Sequence, residues 1–502
     1  MQYGFSLTLQ VLSVTDDAYV GFTLDFSLKV NPSAPWYSLN FSNPRVKTLA
    51  EGLAPADLRF GGTTCDFSRF YNVSSKREQD DVIRLNAASV DHNRKKSFLL
   101  AIFPQDVDHL VALARQAGGR LIYDLSIQMR YGPQWDASNA RTLMRYMIER
   151  GYATDVDFEL GNEPPYKSFT SAAFHATGER IAQDFKVLRQ VMDYFPEFRG
   201  SRLIGPDVET PRDGGYSGEQ PTIMKDFVTH IGNDTVSAVT AHHYYFTGPT
   251  AHIAQFYDLK YVHLLQSTLP KLRDVVYSAA GGPVDLWIGE TADSNLGGTR
   301  GITDRYASGF LWLDKLGLCA RNGFKKVIRQ TFYGYNNTAN YPLLNTSLYP
   351  NPDYWLTHVY KRLVGRGVFD VIVDGSNETV EYLRVYAHCA SPRSGYAPGS
   401  LVLYAINLHP NLTASIGIDN AAPHDVMDAY VMTPVDGELT SPYVQLNGKT
   451  LAMVDDHTLP SLVPREVPVQ GFTLQPLTYA FLVLKNQTTK LCSVAEQHWN
   501  RP

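Results

Sequence analysis

One pattern constrains this chain more than any other: from about residue 19 to about residue 365, short β-branched or aromatic runs alternate with stretches of helical period. The predicted strands are Val20 to Asp25, Asp57 to Gly62, Arg120 to Ile127, Val156 to Gly161, Arg202 to Asp207, Val236 to Tyr245, Asp285 to Glu290 and Lys326 to Phe332. Between them, sets such as Val107, Leu110, Val111 and Ala114, or Ile181, Phe185, Leu188 and Met192, recur at the spacing that lines one helix face. About eight parallel strands with intervening helices is the arithmetic of a (β/α)8 barrel. A doubly wound open sheet also alternates, but it usually has fewer strands and a glycine-rich first turn, which is absent here.

Near Val368 the helical period stops. Strand patterns alone follow, at Tyr382 to His388, Ser400 to Leu408, Val426 to Thr433, Val444 to Leu446 and Tyr479 to Leu484, separated by Pro, Gly and Asn clusters. They predict a β-sandwich of roughly 120 residues. The opening alternation Ser6-Leu7-Thr8-Leu9-Gln10-Val11 reads as a strand with no helix behind it, so it is expected to join that sheet. The expected fold is therefore α/β: a catalytic barrel over residues 15–367, with a β-sandwich built from residues 1–14 plus 368–502. The polar connection Asn72 to Lys96 is expected to be a surface loop.

Composition sets limits on partners. With 44% hydrophobic and 19% charged residues the chain can bury a sizeable core, and a net charge of −5 argues against a general nucleic-acid binder. No run approaches the 18 apolar residues of a membrane span. The chain opens like a strand and not like a secretion signal, and any leader is expected to have been removed. Sequons at Asn40, Asn72, Asn233, Asn336, Asn345, Asn377, Asn411 and Asn486 suggest a secreted glycoprotein. Four scattered cysteines are too few for a zinc ribbon or a disulfide-dense scaffold.

Barrel active sites lie at the carboxyl ends of the strands, so acidic residues there are the first candidates. Glu163, in Asn162-Glu163-Pro164, falls just past strand four, and Glu290, in Gly289-Glu290-Thr291, ends strand seven. Those strands face each other across the mouth. Two opposed carboxylates are what retaining glycoside hydrolysis requires, one to protonate the leaving oxygen and one to attack the anomeric carbon. Asn162 is placed to bond the sugar 2-hydroxyl.

These segments resemble glycoside hydrolase family 79, which includes animal heparanase and leech-type hyaluronidases. The likeness runs through Leu58-Arg59-Phe60-Gly61-Gly62-Thr63, Glu159-Leu160-Gly161-Asn162-Glu163-Pro164, Gly205-Pro206-Asp207-Val208, His242-His243-Tyr244-Tyr245, Trp287-Ile288-Gly289-Glu290-Thr291, Trp312 to Leu318 and Pro352-Asp353-Tyr354-Trp355. It continues at Leu401 to His409 and Val444 to Gly448. The resemblance implies a retaining endo-β-glucuronidase, with Glu163 as acid/base and Glu290 as nucleophile. It also implies that Asp25, Thr63, His242, Tyr244, Gln330 and Tyr341 line the sugar subsites, and that backbone amides around Gly297 and Gly298 receive the uronate carboxylate. Two departures stand out: Leu296 replaces a family glycine, and three extra residues lie between Gly334 and Tyr341. The family pattern pairs Cys389 with Cys492 in a disulfide, while Cys65 and Cys319 are expected to be buried free thiols.

His242-His243 invites a metal reading, but no further ligand follows at metal spacing, so a substrate-contacting or core pair is expected and no metal or other cofactor is needed. Tyr244 is either an aromatic wall or a hydroxyl that orients Glu290. Asp207 reads as a buried structural carboxylate. The polymer is read from charge. Between Glu209 and Ile231, Arg212 and Lys225 stand against Glu209, Asp213, Glu219 and Asp226, and Pro249 takes the place of an arginine that heparanase carries. An acidic segment favours unsulfated hyaluronan over heparan sulfate, although the cluster Arg94, Lys95 and Lys96 keeps heparan sulfate in play. A catalytically silent polysaccharide-binding relative is the alternative of another class. The short stretch between Phe70 and Phe98 leads to the expectation of a single-chain enzyme active as made, and the chain is expected to be a monomer.

Overall fold

The computed structural model describes residues 2–25, 39–88, 100–164, 176–210, 219–232, 234–334, 340–374, 380–419, 424–485 and 492. Eight parallel strands form one sheet, in chain order Val20–Asp25, Leu58–Gly61, Leu121–Leu125, Val156–Leu160, Ile204–Glu209, Ala238–His243, Leu286–Thr291 and Lys326–Arg329. They are called barrel strands one to eight below. Strand eight pairs with strand one in parallel, Val327 opposite Val20, and the single bridge Phe158–Leu203 brings strand four to strand five, so the sheet comes round on itself. Each strand is buried on both faces, as expected of a parallel sheet ringed by helices.

Local chemistry sets where the helices start. Asn43 accepts a hydrogen bond from the Arg45 N–H before Pro44–Glu51, Thr177 from Arg180 before Gly178–Tyr194, and Asp258 from Lys260 before Leu259–Ala280. The helix Ser308–Arg321 is different, because every residue from Ser308 to Ala320 is buried. A helix that is apolar nearly all round must be covered on all sides. The barrel covers one side and the second sheet the other.

Among the described residues that second sheet has eleven strands, ten in one hydrogen-bonded path and Arg465–Pro468 branching from Val426–Pro434. Gln2–Val14 lies inside it, antiparallel to Val364–Asp374 and parallel to Ala414–Ile418. Alternation divides its side chains between two cores. Val402, Tyr404, Ile406, Tyr479, Phe481 and Val483 pack toward the barrel, whereas Leu401, Leu403, Ala405, Ala480, Leu482 and Leu484 join Ile416, Met427 and Phe472 in a separate cluster. Both faces are therefore apolar, which explains why Leu401–Asn407 and Thr478–Leu484 are buried throughout. At the junction the Tyr306 and Tyr479 rings stack with centroids 5.0 Å apart, and Asp314 accepts from Arg384 at 2.8 Å.

Cys389 and Cys492 form a disulfide across a Cα–Cα distance of 5.7 Å, and Cys65 and Cys319 are free and buried. One sequence expectation is corrected. Within Asn72 to Lys96, read as a loop, residues Lys76–Ala88 form a helix carrying the i,i+4 pair Lys76–Asp80 at 2.8 Å. Its many charges hide a weak period, because a largely solvated helix needs only a narrow buried stripe. Arg94, Lys95 and Lys96 lie outside the described residues. Among the described residues no helix is long and apolar enough to cross a membrane.

Candidate active site

The barrel interior is layered. At the base, Lys326 meets Asp57 at 2.6 Å, and Arg202 meets Asp57 at 2.8 Å and Asp157 at 2.7 Å. Above lies an apolar layer of Ile122, Ile204, Ala238, Trp287 and Ile328. Toward the mouth, polar side chains return and the two predicted glutamates sit among them.

Glu163 follows strand four with φ at 47°, in the left-handed region that a residue with a side chain rarely occupies. Its N–H donates to the Asp207 carbonyl at 3.1 Å, which holds the turn. Glu290 ends strand seven with its carboxylate fully engaged: Arg59 donates to Oε2 at 2.8 Å and Tyr244 donates its hydroxyl to Oε1. His242, near the end of strand six, lies between the two carboxyl groups, with Nδ1 2.9 Å from Glu163 Oε1 and 4.0 Å from Glu290 Oε1. One oxygen of each glutamate and one His242 nitrogen all lie within 4.8 Å of one another. Such a trio has the composition of a metal site, yet each carboxylate already accepts from a proton donor and Arg59 adds a fixed cation, so the arrangement suits a catalytic pair.

Burial opposes a charge on His242, but the Glu290 charge and the bonds to Asp207 and Glu163 outweigh it and hold the ring well above its usual pKa. An imidazolium donates from both nitrogens, which suits a ring facing Glu163 on one side and Asp207, at 3.4 Å, on the other. Tyr244 is pushed up by burial and by the Glu290 charge, so its phenol stays protonated and remains a donor. Of the two roles read from sequence, the hydroxyl contact is made, and the ring also joins Ala292 and Tyr341 in a small apolar cluster.

The other predicted residues gather around this pair. Asn162 turns its Oδ1 to Arg59 at 3.0 Å. Gln330 donates to Asp25 at 2.8 Å, and the Asp25 carboxylate fills the space where a Cβ on Gly62 would stand, at 2.7 Å. Gly62 has φ at 106°, so only glycine serves both needs there. Thr63 opens the next turn. Tyr341 is buried, and burial with the charges of Asp25 and Glu290 pushes its phenol up, which places it at the same mouth. The Gly298 N–H donates to Asn295 at 3.2 Å, so within the expected pair of amides that one is used by its own turn.

Sequence reasoning missed the floor. Arg59 is fully buried and donates to Glu159 at 2.6 Å, Glu290 at 2.8 Å and Asp207 at 3.4 Å, with Asp124 at 3.6 Å. One cation faces four carboxylates. Burial, with Arg59 opposing and Asp207 adding, pushes Asp124 up to about 7, and burial drives Glu159 well above its usual range. Asp207 stays low despite burial because Arg59, His242 and Thr240 all stabilise its charge. As the sequence suggested, Asp207 is a buried supporting carboxylate. The signal for the floor was present, since Asp57 and Arg59 at strand two, and Asp157 and Glu159 in strand four, repeat at period two on strands that flank strand three and its Asp124.

The model for "Glycosyl hydrolase family 79, N-terminal domain" matches residues 8–317. A hyaluronoglucuronidase from Hirudo nipponia is 35% identical over 506 residues, covering 96% of this chain and 97% of the relative. A heparanase from Gallus gallus is 32% identical over 514 residues, covering 96% and 94%. Among solved structures, a 4-O-α-L-rhamnosyl-β-D-glucuronidase from Fusarium oxysporum matches with a TM-score of 0.65 at 16% identity, over 96% of this chain and all of that one, a likeness of fold. Matched over more than half its length and sharing near-complete coverage with relatives above 30% identity, this chain belongs to glycosyl hydrolase family 79.

Proposed function

We propose that the chain is a retaining endo-β-glucuronidase that cleaves hyaluronan. The observation that carries the reading is the carboxylate pair, with oxygens of Glu163 and Glu290 inside 4.8 Å of each other across the barrel mouth. That spacing suits a nucleophile and an acid/base on one sugar and leaves no room for the intervening water of an inverting enzyme. Glu290 attacks the anomeric carbon of a glucuronide while Glu163 protonates the departing oxygen, giving a glucuronyl ester on Glu290. Glu163 then takes a proton from water as it attacks the same carbon. The ester bond breaks, Glu290 regains its charge, and the configuration is retained.

The surrounding residues have matching tasks. Arg59 and Tyr244 fix the Glu290 rotamer, so that the attacking oxygen need not be ordered during the reaction. The Asn162 NH2 is available to the 2-hydroxyl, and the turn at Gly297 with Tyr341 is the place for the uronate carboxylate. Hyaluronan is favoured over heparan sulfate because the segment Glu209 to Ile231 is acidic and because, at equal coverage of this chain, the hyaluronoglucuronidase relative is 35% identical against 32% for the heparanase. Exposed sequons at Asn40, Asn72 and Asn411 support secretion as a glycoprotein. The test is digestion of hyaluronan, heparan sulfate and chondroitin side by side, with mass analysis of new ends. New reducing ends of glucuronic acid from hyaluronan are expected. Ends of N-acetylglucosamine overturn the bond assignment, faster turnover of heparan sulfate overturns the polymer, and binding without new ends marks a silent relative.

A further inference from the structure

Beside the mouth, a half-open groove of about 430 Å³ lies between the loops that follow strands seven and eight and a loop of the second sheet. Its position ties it to the catalytic centre. Asn340 lines it, and the next residue is Tyr341, whose ring faces Gly298 and senses the charges of Asp25 and Glu290. The groove is therefore one residue away from the sugar-binding side of the mouth.

The lining has the chemistry of a carbohydrate site. Two tyrosines, Tyr349 and Tyr443, are each 58% exposed, far more than packing aromatics are. Arg45 sits 5.0 Å from the centre of the Tyr349 ring and is itself held by Asp456 at 2.7 Å, which fixes the ring without covering it. Arg300 is exposed and, among the described residues, makes no hydrogen bond or ion pair, while Arg305 is oriented by Asp304 at 3.2 Å. Aromatic faces for pyranose rings, guanidinium groups for a carboxylate and amides for hydroxyls together recognise an acidic sugar.

The groove is also rigid. Backbone bonds from Tyr306 to Ser441 at 3.0 Å and from Ala307 to Leu439 at 3.1 Å clamp the loop that carries Tyr443 onto the barrel. Gly248 backs the same rim: a Cβ there would come within 2.3 Å of the Asn295 carbonyl, in the turn leading to Gly298.

We propose that this groove is a distal subsite that holds a further uronate-containing disaccharide of the polymer, with Arg300 and Arg305 on the carboxylate and Tyr349 and Tyr443 on the rings. The second sheet then takes part in substrate binding through Tyr443. The proposal rests on the endo-glucuronidase reading above. A single carboxylate against two arginines whose charge Asp304 already partly offsets suits an unsulfated chain.

The wall includes Asn345, within the sequon Asn345-Thr346-Ser347, whose Oδ1 accepts from the Ser347 and Tyr349 amides. A glycan on Asn345 would fill the groove. The test therefore uses full-length protein carrying Ser347→Ala, which removes the sequon and keeps the asparagine that shapes the turn. Tyr443→Ala and Arg300→Ala are compared with the parent on hyaluronan oligosaccharides from the shortest one cleaved to much longer ones. Tyr194→Ala, an exposed tyrosine at the barrel base, is the control. KM for long oligosaccharides is expected to rise about five- to tenfold with kcat unchanged, and KM for the shortest to stay within about twofold. Equal losses at every length, or no loss at any, overturn the subsite. If the parent cleaves no oligosaccharide, the endo-glucuronidase reading fails instead. The groove is then judged by binding of the same oligosaccharides, and equal affinities for parent and Tyr443→Ala overturn it as well.

Discussion

The two polar layers of the barrel are built from the same residue types and behave in opposite ways. At the base, Asp57 and Asp157 meet Lys326, Arg202 and Arg120, and although burial opposes it, the Lys326 and Arg202 charges hold Asp57 well below its usual pKa. Near the mouth, Arg59 faces Asp124, Glu159, Asp207 and Glu290, with the His242 ring helping only at Asp207 and the catalytic-side carboxylates, so burial pushes Asp124 and Glu159 up toward the neutral form against the pull of Arg59. A balanced network closes the barrel. An underbalanced one holds protons and leaves a negative site poised for chemistry. The apolar layer between them keeps the two from exchanging partners.

The largest expected effect is at the mouth. Glu290→Gln should remove turnover, a loss of about 10⁴-fold or more, because no glucuronyl ester can form. Glu163→Gln should lose about 10²- to 10⁴-fold on polymer. Neither should lower Tm appreciably, and aryl glucuronides with good leaving groups should restore part of the Glu163→Gln activity. A Tm drop as large as the activity loss would mean that the mouth, like the base, is structural.

Next comes the base. Lys326→Met removes the fully buried cation of Asp57 and Asp16, leaves them only the partly exposed Arg202, and should destabilise the fold by about 3 kcal/mol by denaturant melts, with kcat unchanged while the protein stays folded. A fall in kcat at full folding would erase the division between layers. Smaller still is Tyr244→Phe, which deletes one donor to Glu290 and should lower kcat about tenfold to a hundredfold with KM near normal. A change confined to KM would make the ring an aromatic wall only.

The smallest effect is on stability against pH, where the layers should differ in sign. Asp57 is depressed when folded, so its contribution is present above the unfolded carboxylate pKa of about 3.8 and is lost as pH falls through its lower folded value. Asp124 is raised to about 7, so the folded state binds its proton more tightly and stability declines as pH climbs from about 3.8 through 7. Asp57→Asn should flatten the acid side of a Tm–pH curve, and Asp124→Asn the fall toward neutral pH. Identical curves for wild type and Asp124→Asn would show that its proton is not shared out by the floor.

Much of this was legible in the sequence where a single strand carries the signal. All eight barrel strands fall within a few residues of their predicted positions, because β-branched runs and helical periods are local. That Glu163 and Glu290 would come together was legible because strand ends in a barrel converge on one place. The Arg59 floor was not, since a charged residue inside a buried strand means little until its partners on strands three, four and five are known. The strands Ala414–Ile418 and Phe472–Leu474 were missed as well, being short and holding Ser, Gly or Thr, with stability that comes from the neighbours they pair with. Whether Asp25 meets Gln330 or Tyr341 meets Gly298 depends on loop conformations that no local pattern encodes.

The place of Gln2–Val14 in the second sheet has a consequence for how the molecule comes into being. Its partners are Val364–Asp374 and Ala414–Ile418, so an entire barrel must be synthesised before the strand has anything to pair with. Until then it is a thirteen-residue edge with unsatisfied amides and carbonyls, the kind of template that invites pairing with another chain. Such long-range pairing slows folding and lengthens the time during which the nascent protein depends on chaperones. Yield in a heterologous host should accordingly be limited by assembly of this seam, and moving the strand to follow residue 485 by circular permutation should shorten refolding more than any change inside the barrel.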